Sequence, residues 1–203
     1  MNSSFKMHSK QGFTLLEMII AITVFSIFIG FTVASYLSFH RADQEALIER
    51  SLIMEAGQVM DILSTEIKSN KIDYSYYSAG EDLLSVSVLA LRDASGLVRS
   101  VYFWDATAKT FSVQKFDMEN PANPQEMEGY TNSLPLTSDH VYLNEVEFRI
   151  FPQVDPYSSD NFDDTTVAFQ PLVTMNLTFA TEGRVRSEIN LPLQTSVTSR
   201  FYQ

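Results

Sequence analysis

The chain has 203 residues, no Cys and a formal net charge of -11. Its length suits one globular domain of modest size behind an additional segment, and two domains would be crowded. The negative charge repels nucleic-acid phosphates and anionic lipid headgroups, so we do not expect a nucleic-acid-binding protein. Without Cys, stability must come from packing or from a metal.

An apolar run begins after the first dozen residues. From Met18 to Phe39 there are 22 residues without a charge, enough to cross a bilayer core of about 30 Å at about 1.5 Å per helical residue. Glu17 lies at the start of this run. A carboxylate at membrane depth costs about 2.5 to 3.5 kcal/mol, so we expect Glu17 to have a partner.

The same segment carries a recognisable motif. Lys6 and Lys10 precede Gly12, then come Phe13, Thr-Leu-Leu and Glu17. This order resembles the N-terminus of type IV prepilins and type II secretion pseudopilins. The resemblance implies that a prepilin peptidase cleaves between Gly12 and Phe13 on the cytoplasmic side and methylates the new amine of Phe13. It also implies that Glu17 pairs with the charged N-terminus of a neighbouring subunit in a filament.

Three simpler interpretations compete with this one. The first is a secretory signal peptide cut before Ser35, but the apolar run is too long for one and contains an acid. The second is a plain single-span anchor, orientated by Lys6 and Lys10 under the positive-inside rule. The third is the core helix of a soluble enzyme, although no other segment is apolar enough to pack around it. The motif in its context favours the pilin interpretation.

The helical pattern continues beyond the apolar run and turns amphipathic. We therefore divide the chain into a leader (1–12), a transmembrane assembly half of the first helix (13–40), an amphipathic half (41–70) and an extracytoplasmic β domain (71–203). No Pro interrupts residues 13–69, and the helix is predicted to stop at Asn70. The apolar residues that should pack on a sheet are Ala46, Leu47, Met54, Val59, Ile62, Leu63 and Ile67.

Alternating apolar residues then predict antiparallel strands. Residues 118–139 are rich in Pro, Asn and Ser and should form a loop. A helix followed by such strands predicts an α+β fold, with the long N-terminal helix packed on an antiparallel β-sheet domain. The predicted strands are a meander of Leu84–Ala90, Leu97–Trp104 and Thr110–Phe116, a bulged strand Val141–Phe151, and a hairpin of Leu172–Ala180 and Arg184–Leu193 turning at Gly183.

The sequence offers little chemistry. His8, His40 and His140 have no Cys or second His nearby to form a nucleophile and base, so we interpret them as surface or capping residues and do not expect an enzyme. One segment is rich in acids, and its possible calcium ligands are Asp155, Asp160, Asp163 and Asp164. Their spacing fits no EF-hand, so a solvated acidic loop without a cofactor is the favoured interpretation.

The resemblance implies a structural subunit, inserted in the inner membrane with the leader in the cytoplasm and the C-terminal domain outside, and then moved into a type IV pilus or a type II secretion-type pseudopilus. Its partners would be prepilin peptidase, other pilin subunits, the inner-membrane assembly platform and membrane lipid. Major subunits often carry a Pro where this chain has Ala34, which favours a minor subunit. The alternatives are a filament-tip binding module, as an adhesin or a receptor for substrate or DNA, and a membrane-tethered hydrolase.

Overall fold

The computed structural model describes residues 14–78, 80–130, 134–138, 140–156, 170–182 and 188–199. They fall into two compact units, the first ending at Gln44 and the second beginning at Glu45. The described part contains a long helix, a short 3-10 helix and nine strands, which confirms the α+β class. These are α1 (Leu15–Ser69), β1 (Lys71–Ile72), the 3-10 helix (Tyr74–Tyr76), β2 (Val88–Arg92), β3 (Val98–Asp105), β4 (Thr110–Asp117), β5 (Gln125–Glu126), β6 (Leu134–Pro135), β7 (Val141–Phe151), β8 (Leu172–Thr181) and β9 (Ile189–Thr198).

The second half of α1 packs through one narrow stripe. Its buried residues are Leu52, Ala56, Val59, Leu63 and Ile67, which recur every three or four positions. The helix ends at Ser69, as predicted. The predicted apolar face was partly wrong, because Ala46 is exposed and Leu47 and Met54 are 59% and 62% exposed. At about 100° per residue, Met54 lies about 200° around the helix from Leu52 and faces away from the sheets.

The strands form two antiparallel sheets. The first sheet has the order β1-β2-β3-β4-β5, with β6 also paired to β4, and the second has the order β7-β8-β9. A bridge pairs Val86, which lies two residues before β2, with Phe148 of the second sheet. The indole Nε1 of Trp104 donates a hydrogen bond to the Leu143 carbonyl at 3.1 Å, which ties β3 to β7. The fluorescence of the chain's single Trp should therefore report on the contact between the sheets.

One apolar core lies between the helix and both sheets. Phe111 and Phe148 are fully buried in it, with ring centroids 6.3 Å apart. Fully burying side chains of this kind contributes about 1.5 to 3 kcal/mol each. The strand residues of the core include Leu89, Leu91, Tyr102, Phe111, Val113, Leu143, Val146, Phe148, Ile150, Val173, Met175, Leu177 and Phe179.

The first strand of the meander differs from its prediction. The strand begins at Val88 rather than Leu84, and Leu84 is 43% exposed. The Asp82 carboxylate accepts a hydrogen bond from the Leu84 amide at 3.0 Å, which holds the preceding residues in a turn. Consecutive residues Leu89, Ala90 and Leu91 of β2 are all fully buried, so the strict alternation expected from the sequence is absent there.

The last hairpin was predicted with the wrong register. A turn at Gly183 would have placed Ala180 opposite Arg184, whereas Ala180 pairs with Asn190 and β9 runs on to Thr198. Gly183 and Arg184 lie outside the described residues. The displacement is an even number of residues, so apolar side chains keep the same face in both registers and periodicity cannot distinguish them.

The prediction of the strand Val141–Phe151 was right, and the prediction of a loop over residues 118–139 needs one correction. The strand Val141–Phe151 is confirmed as β7, and its register shifts between Leu143 and Glu145 as expected for a bulge. The segment 118–139 is not entirely loop, because β5 and β6 pair with β4. Each of these two strands is only two residues long, too short to show a period in the sequence.

The Tyr77 side chain forms hydrogen bonds with backbone groups on the outer edge of β2. Its hydroxyl donates to the Val88 carbonyl at 3.2 Å and accepts from the Ala90 amide at 3.0 Å. Strand β1 pairs only with residues Leu91 and Arg92, so the phenol replaces a neighbouring strand further along β2. Burial raises the pKa of the Tyr77 phenol well above its ordinary value of 10.0.

We expect Tyr77→Phe to lower the free energy of unfolding by about 1 to 3 kcal/mol, because it leaves two backbone groups without a partner. Urea unfolding of the full chain in detergent, followed by Trp104 fluorescence, measures this. Because the pKa of the Tyr77 phenol is raised by folding, the neutral phenol contributes stability below pH about 10, and this contribution is lost as the pH rises further. Tyr77→Phe has no phenol to titrate, so it should lose less stability than the wild type at alkaline pH. Tyr76→Phe, at a neighbouring exposed phenol, is the matched control. Equal effects of the two changes would contradict the role given to Tyr77.

Candidate processing and assembly site

The helix α1 begins with a polar cap. The Thr14 hydroxyl accepts a hydrogen bond from the Glu17 amide at 3.3 Å, which satisfies one of the free amides of the first turn. Thr followed three residues later by Glu is the pattern of a capping box. The acid also lies in the first turn, where the helix dipole favours negative charge. The observed bond uses the backbone of residue 17, and the Glu17 carboxylate adds a negative charge at the positive end of the helix dipole.

The carboxylate of Glu17 is exposed, and it has no hydrogen-bond or ion-pair partner among the described residues. Its first turn is surrounded by exposed apolar side chains, including Leu15, Leu16 and Met18. An acid in such surroundings is stable in water but costly in lipid, unless a cation is supplied from outside the described chain.

The first compact unit exposes apolar side chains on every side. The exposed large apolar residues are Leu15, Leu16, Met18, Ile19, Ile20, Ile22, Val24, Phe25, Ile27, Phe28, Ile29, Phe31, Val33, Tyr36, Leu37 and Phe39. Within the described residues α1 is the one helix long and apolar enough to cross a membrane, and none of its most apolar window is buried. A surface of this size requires a covering of lipid or of other apolar helices.

The few hydroxyls in this segment are compatible with lipid. Thr23, Ser26 and Thr32 each donate a hydrogen bond to the carbonyl four residues earlier, at 2.8, 2.8 and 2.9 Å. No hydroxyl proton of these three is therefore left unpaired in an apolar medium. Near the other end, Tyr36 stacks on His40 with ring centroids 6.3 Å apart, an amphipathic pair typical of a membrane interface.

The structure does not test every predicted site residue. Gly12, Phe13 and His8 lie outside the described residues, so the cleavage site remains a prediction. His40 and His140 are both exposed, which agrees with surface positions. Asp155 is described, whereas Asp160, Asp163 and Asp164 are not. Within the described part of the chain, no group of three or more His, Cys, Asp or Glu could hold a metal ion.

Comparison with known proteins found a match for one segment of the chain. A model of the prokaryotic N-terminal methylation motif matches residues 7–33, which include Gly12, Phe13 and Glu17. No curated protein and no solved structure matches the chain. The match ends at residue 33, within the apolar half of α1, and does not reach the strands.

The motif and the helix together define a class of protein. The motif implies processing by prepilin peptidase and assembly with other pilin subunits, and the apolar helix indicates anchoring in a membrane through a single N-terminal segment. A long N-terminal helix packed with antiparallel sheets completes the pattern. The chain fits a type IV pilin or pseudopilin.

Proposed function

We propose that the protein is a structural subunit of a type IV pilus or of a type II secretion-type pseudopilus, and a minor one. The observation that carries the proposal is the match of the methylation motif to residues 7–33, at the start of a helix whose apolar first half is exposed on every side. Proteins with this motif are structural, and we propose no catalytic role. Position 34, where major subunits often carry Pro, is Ala in this chain, and this supports the role of a minor subunit.

The proposed sequence of events follows from the charges at the helix start. Before processing, Glu17 costs free energy in the inner membrane. Cleavage between Gly12 and Phe13 creates a positively charged amine, which keeps its charge after methylation. When the helix leaves the lipid for a filament, the Glu17 carboxylate can meet the amine of Phe13 on a neighbouring subunit. The apolar sides of α1 are then covered by other helices instead of lipid.

Cleavage also changes the charge of the chain. The leader carries Lys6 and Lys10 and no acid, so removing it takes the formal side-chain charge from -11 to -13. The lysines hold the N-terminal end in the cytoplasm under the positive-inside rule, which leaves the second compact unit outside. We propose that the inner-membrane assembly platform then extracts the processed subunit.

Fractionation of cells that carry the filament machinery tests this function. We expect the chain, shortened by its first 12 residues, to appear in the sheared filament fraction together with other pilin subunits. In a strain without prepilin peptidase it should remain full-length in the membrane fraction. A chain of unchanged length in the membranes of both strains would refute the proposal.

We also propose that the protein needs no cofactor, calcium included. Melting the full chain in detergent, in chelator and then in millimolar calcium or magnesium, should give small and equal shifts, because both ions only screen the acidic loop. A site that holds calcium in the folded state alone would add about 2.7 kcal/mol at a hundred times its Kd. A calcium-specific rise of several degrees, abolished by Asp160→Asn with Asp163→Asn, would show that the loop is a metal site.

A further inference from the structure

The second sheet has one edge that the described part of the chain does not cover. Strand β9 lies at this edge and pairs only with β8. The opposite edge, along β7, is bonded to other segments of the chain: the Phe148 amide donates to the Val86 carbonyl and the Ile150 amide to the Leu83 carbonyl, both at 2.7 Å. The outer edge of β2 is bonded to β1 and to Tyr77. The chain thus covers the edges of β2 and β7 with its own residues, but not the edge of β9.

The backbone groups of β9 that face this edge can be identified. In an antiparallel pair, residues that bond to the neighbouring strand alternate with residues that point away from it. Just past β9, the Ser199 amide donates to the Pro171 carbonyl at 3.0 Å, so the odd-numbered residues of β9 point to β8. Pro192 agrees with this, because it has an even number and no amide to give to the ladder. No partner among the described residues is found for the outward amides, which are those of Asn190, Gln194, Ser196 and Thr198.

Strand β9 lacks most of the features that block pairing at an open edge. Natural edge strands are protected by charged side chains, in particular Lys, or by bulges. Strand β9 has no charged side chain and its pairing with β8 has no bulge, although the whole chain carries -11. Pro192 removes one outward amide and leaves the others. An uncharged edge of this length is a template for a further strand.

The apolar face of β9 is also incompletely covered. Ile189, Leu191 and Leu193 pack on the core but are only half-buried. The residues opposite the two leucines on β8, Phe179 and Leu177, are fully buried, because β8 has a strand on each side. A strand added beyond β9 would cover the half-buried row in the same way. The same edge therefore offers both unpaired backbone groups and apolar surface.

We propose that β9 binds an extended segment of a different pilin-type subunit, which adds a strand to the second sheet. The amides and carbonyls of this segment pair with the outward groups of β9, and its alternate side chains are apolar and lie beside Leu191 and Leu193. The segment carries no acid at the contact, because this acidic chain would repel one. The proposal rests on the function proposed above, since a filament brings other subunits beside this domain.

A second copy of this chain does not fit the edge. Two β9 strands paired antiparallel are related by a two-fold axis normal to the sheet, so the two α1 helices packed on it would run in opposite directions. Subunits of one filament run in the same direction. Two β9 strands paired in parallel about a two-fold axis along the strands would place the apolar row of one copy beside the polar row of the other. Other described edges are already bonded within the chain or belong to β1, β5 and β6, which are two residues long.

Hydrogen exchange tests whether the edge of β9 is open in the chain alone. The full chain is measured by NMR in detergent micelles. We expect the amides of Gln194 and Ser196 to exchange at least about tenfold faster than those of Leu193 and Thr195, because only the latter two bond to β8. Slow exchange of all four amides would show that another part of the chain already covers β9, and would overturn the proposal.

Photo-crosslinking in cells that carry the filament machinery identifies the occupant. Benzoylphenylalanine is placed at Gln194, and the crosslinked chains of the sheared filaments are identified by mass spectrometry. We expect a link to a different chain that has itself lost a prepilin leader. The same group at Glu145, an exposed position on β7, should give no such link. A link to a second copy, a link within the chain, or a link to a protein without a prepilin leader would each overturn the proposal.

Proline substitutions separate backbone pairing from side-chain contact. Ser196→Pro removes an outward amide and leaves the ladder with β8 intact, whereas Ser196→Ala keeps the amide. Both variants lose the same hydroxyl contact with Thr174, at 2.8 Å. We expect Ser196→Pro to reduce the link at least about tenfold and Ser196→Ala to leave it unchanged. Thr198→Pro and Thr198→Ala repeat the comparison at the end of β9, and they decide the question if Ser196→Pro does not fold. Equal links in the Pro and Ala variants would show that the contact is not a strand pairing.

Processing and filament content are measured on the same cells, by intact mass and by immunoblot. A chain that loses its leader and reaches the sheared filaments, but gives no link from position 194, refutes the strand addition and leaves the proposed function standing. A chain that never loses its leader refutes the proposed function itself.

Discussion

Gly12→Val should abolish processing, so that the chain keeps its full length when it is co-expressed with prepilin peptidase. The wild-type chain should lose its first 12 residues and gain a methyl group on Phe13. We expect complete loss in the variant, because a branched side chain next to the scissile bond fills space that a peptidase adapted to Gly leaves for the backbone. Intact-mass measurement of the purified protein reads both outcomes directly.

Gly57→Val is the matched control for this prediction. It makes the same exchange in the second half of α1, at a position where an added Cβ meets nothing within 4 Å. It should be processed like the wild type. A mature N-terminus at Ser35 in the wild-type chain would instead establish a signal peptide and remove the filament mechanism. Cleavage of Gly12→Val at the normal rate would show that the peptidase does not read this glycine.

The helix was the part of the fold that the sequence determined most fully. Its end at Ser69 and its apolar first half follow from a long run without Pro and from composition, two properties that need no tertiary information. The buried face was harder to assign. Apolar residues such as Met54 occur on more than one side of the helix, and only the position of the sheets decides which side is covered.

For the strands, the local sequence pattern predicted a bulge but could not predict the register of the last hairpin. The bulge in β7 was predicted because the alternation itself breaks between Leu143 and Val146. The register of β8 and β9 was not, since both registers keep Leu191 and Leu193 on the same face. Pro192 fits the observed pairing, because β9 lies at an edge of the described sheet, where a missing amide is tolerated.

The candidate sites divide in the same way. Glu17 was found from the sequence because the motif is local and contiguous. The open edge of β9 was not found, because the hairpin was predicted in another register and its last strand was ended at Leu193. A hint was present, since residues 189–199 form a run without a charge in a strongly acidic chain.

Glu17→Gln should enter the membrane at least as well as the wild type and be nearly absent from sheared filaments. Removing the charge relieves part of a cost of about 2.5 to 3.5 kcal/mol in lipid, because the amide that replaces the carboxylate is still polar. In the filament it leaves the amine of a neighbouring Phe13 without its partner, and breaking a buried ion pair in this way costs about 3 to 5 kcal/mol. That is roughly a 100-fold or greater loss of occupancy. Quantitative immunoblots of the filament and membrane fractions measure it.

Two further variants separate the charge of Glu17 from its position in the helix cap. Gln at this position can still complete a capping box, whereas Ala cannot, and Thr14→Ala removes the cap hydrogen bond without changing any charge. If the carboxylate acts through its charge, Glu17→Gln and Glu17→Ala should fail alike while Thr14→Ala assembles nearly normally. If it acts through the cap, Glu17→Gln should assemble and the two Ala variants should fail. The second pattern would show that the acid begins the helix and does not pair with a neighbouring subunit.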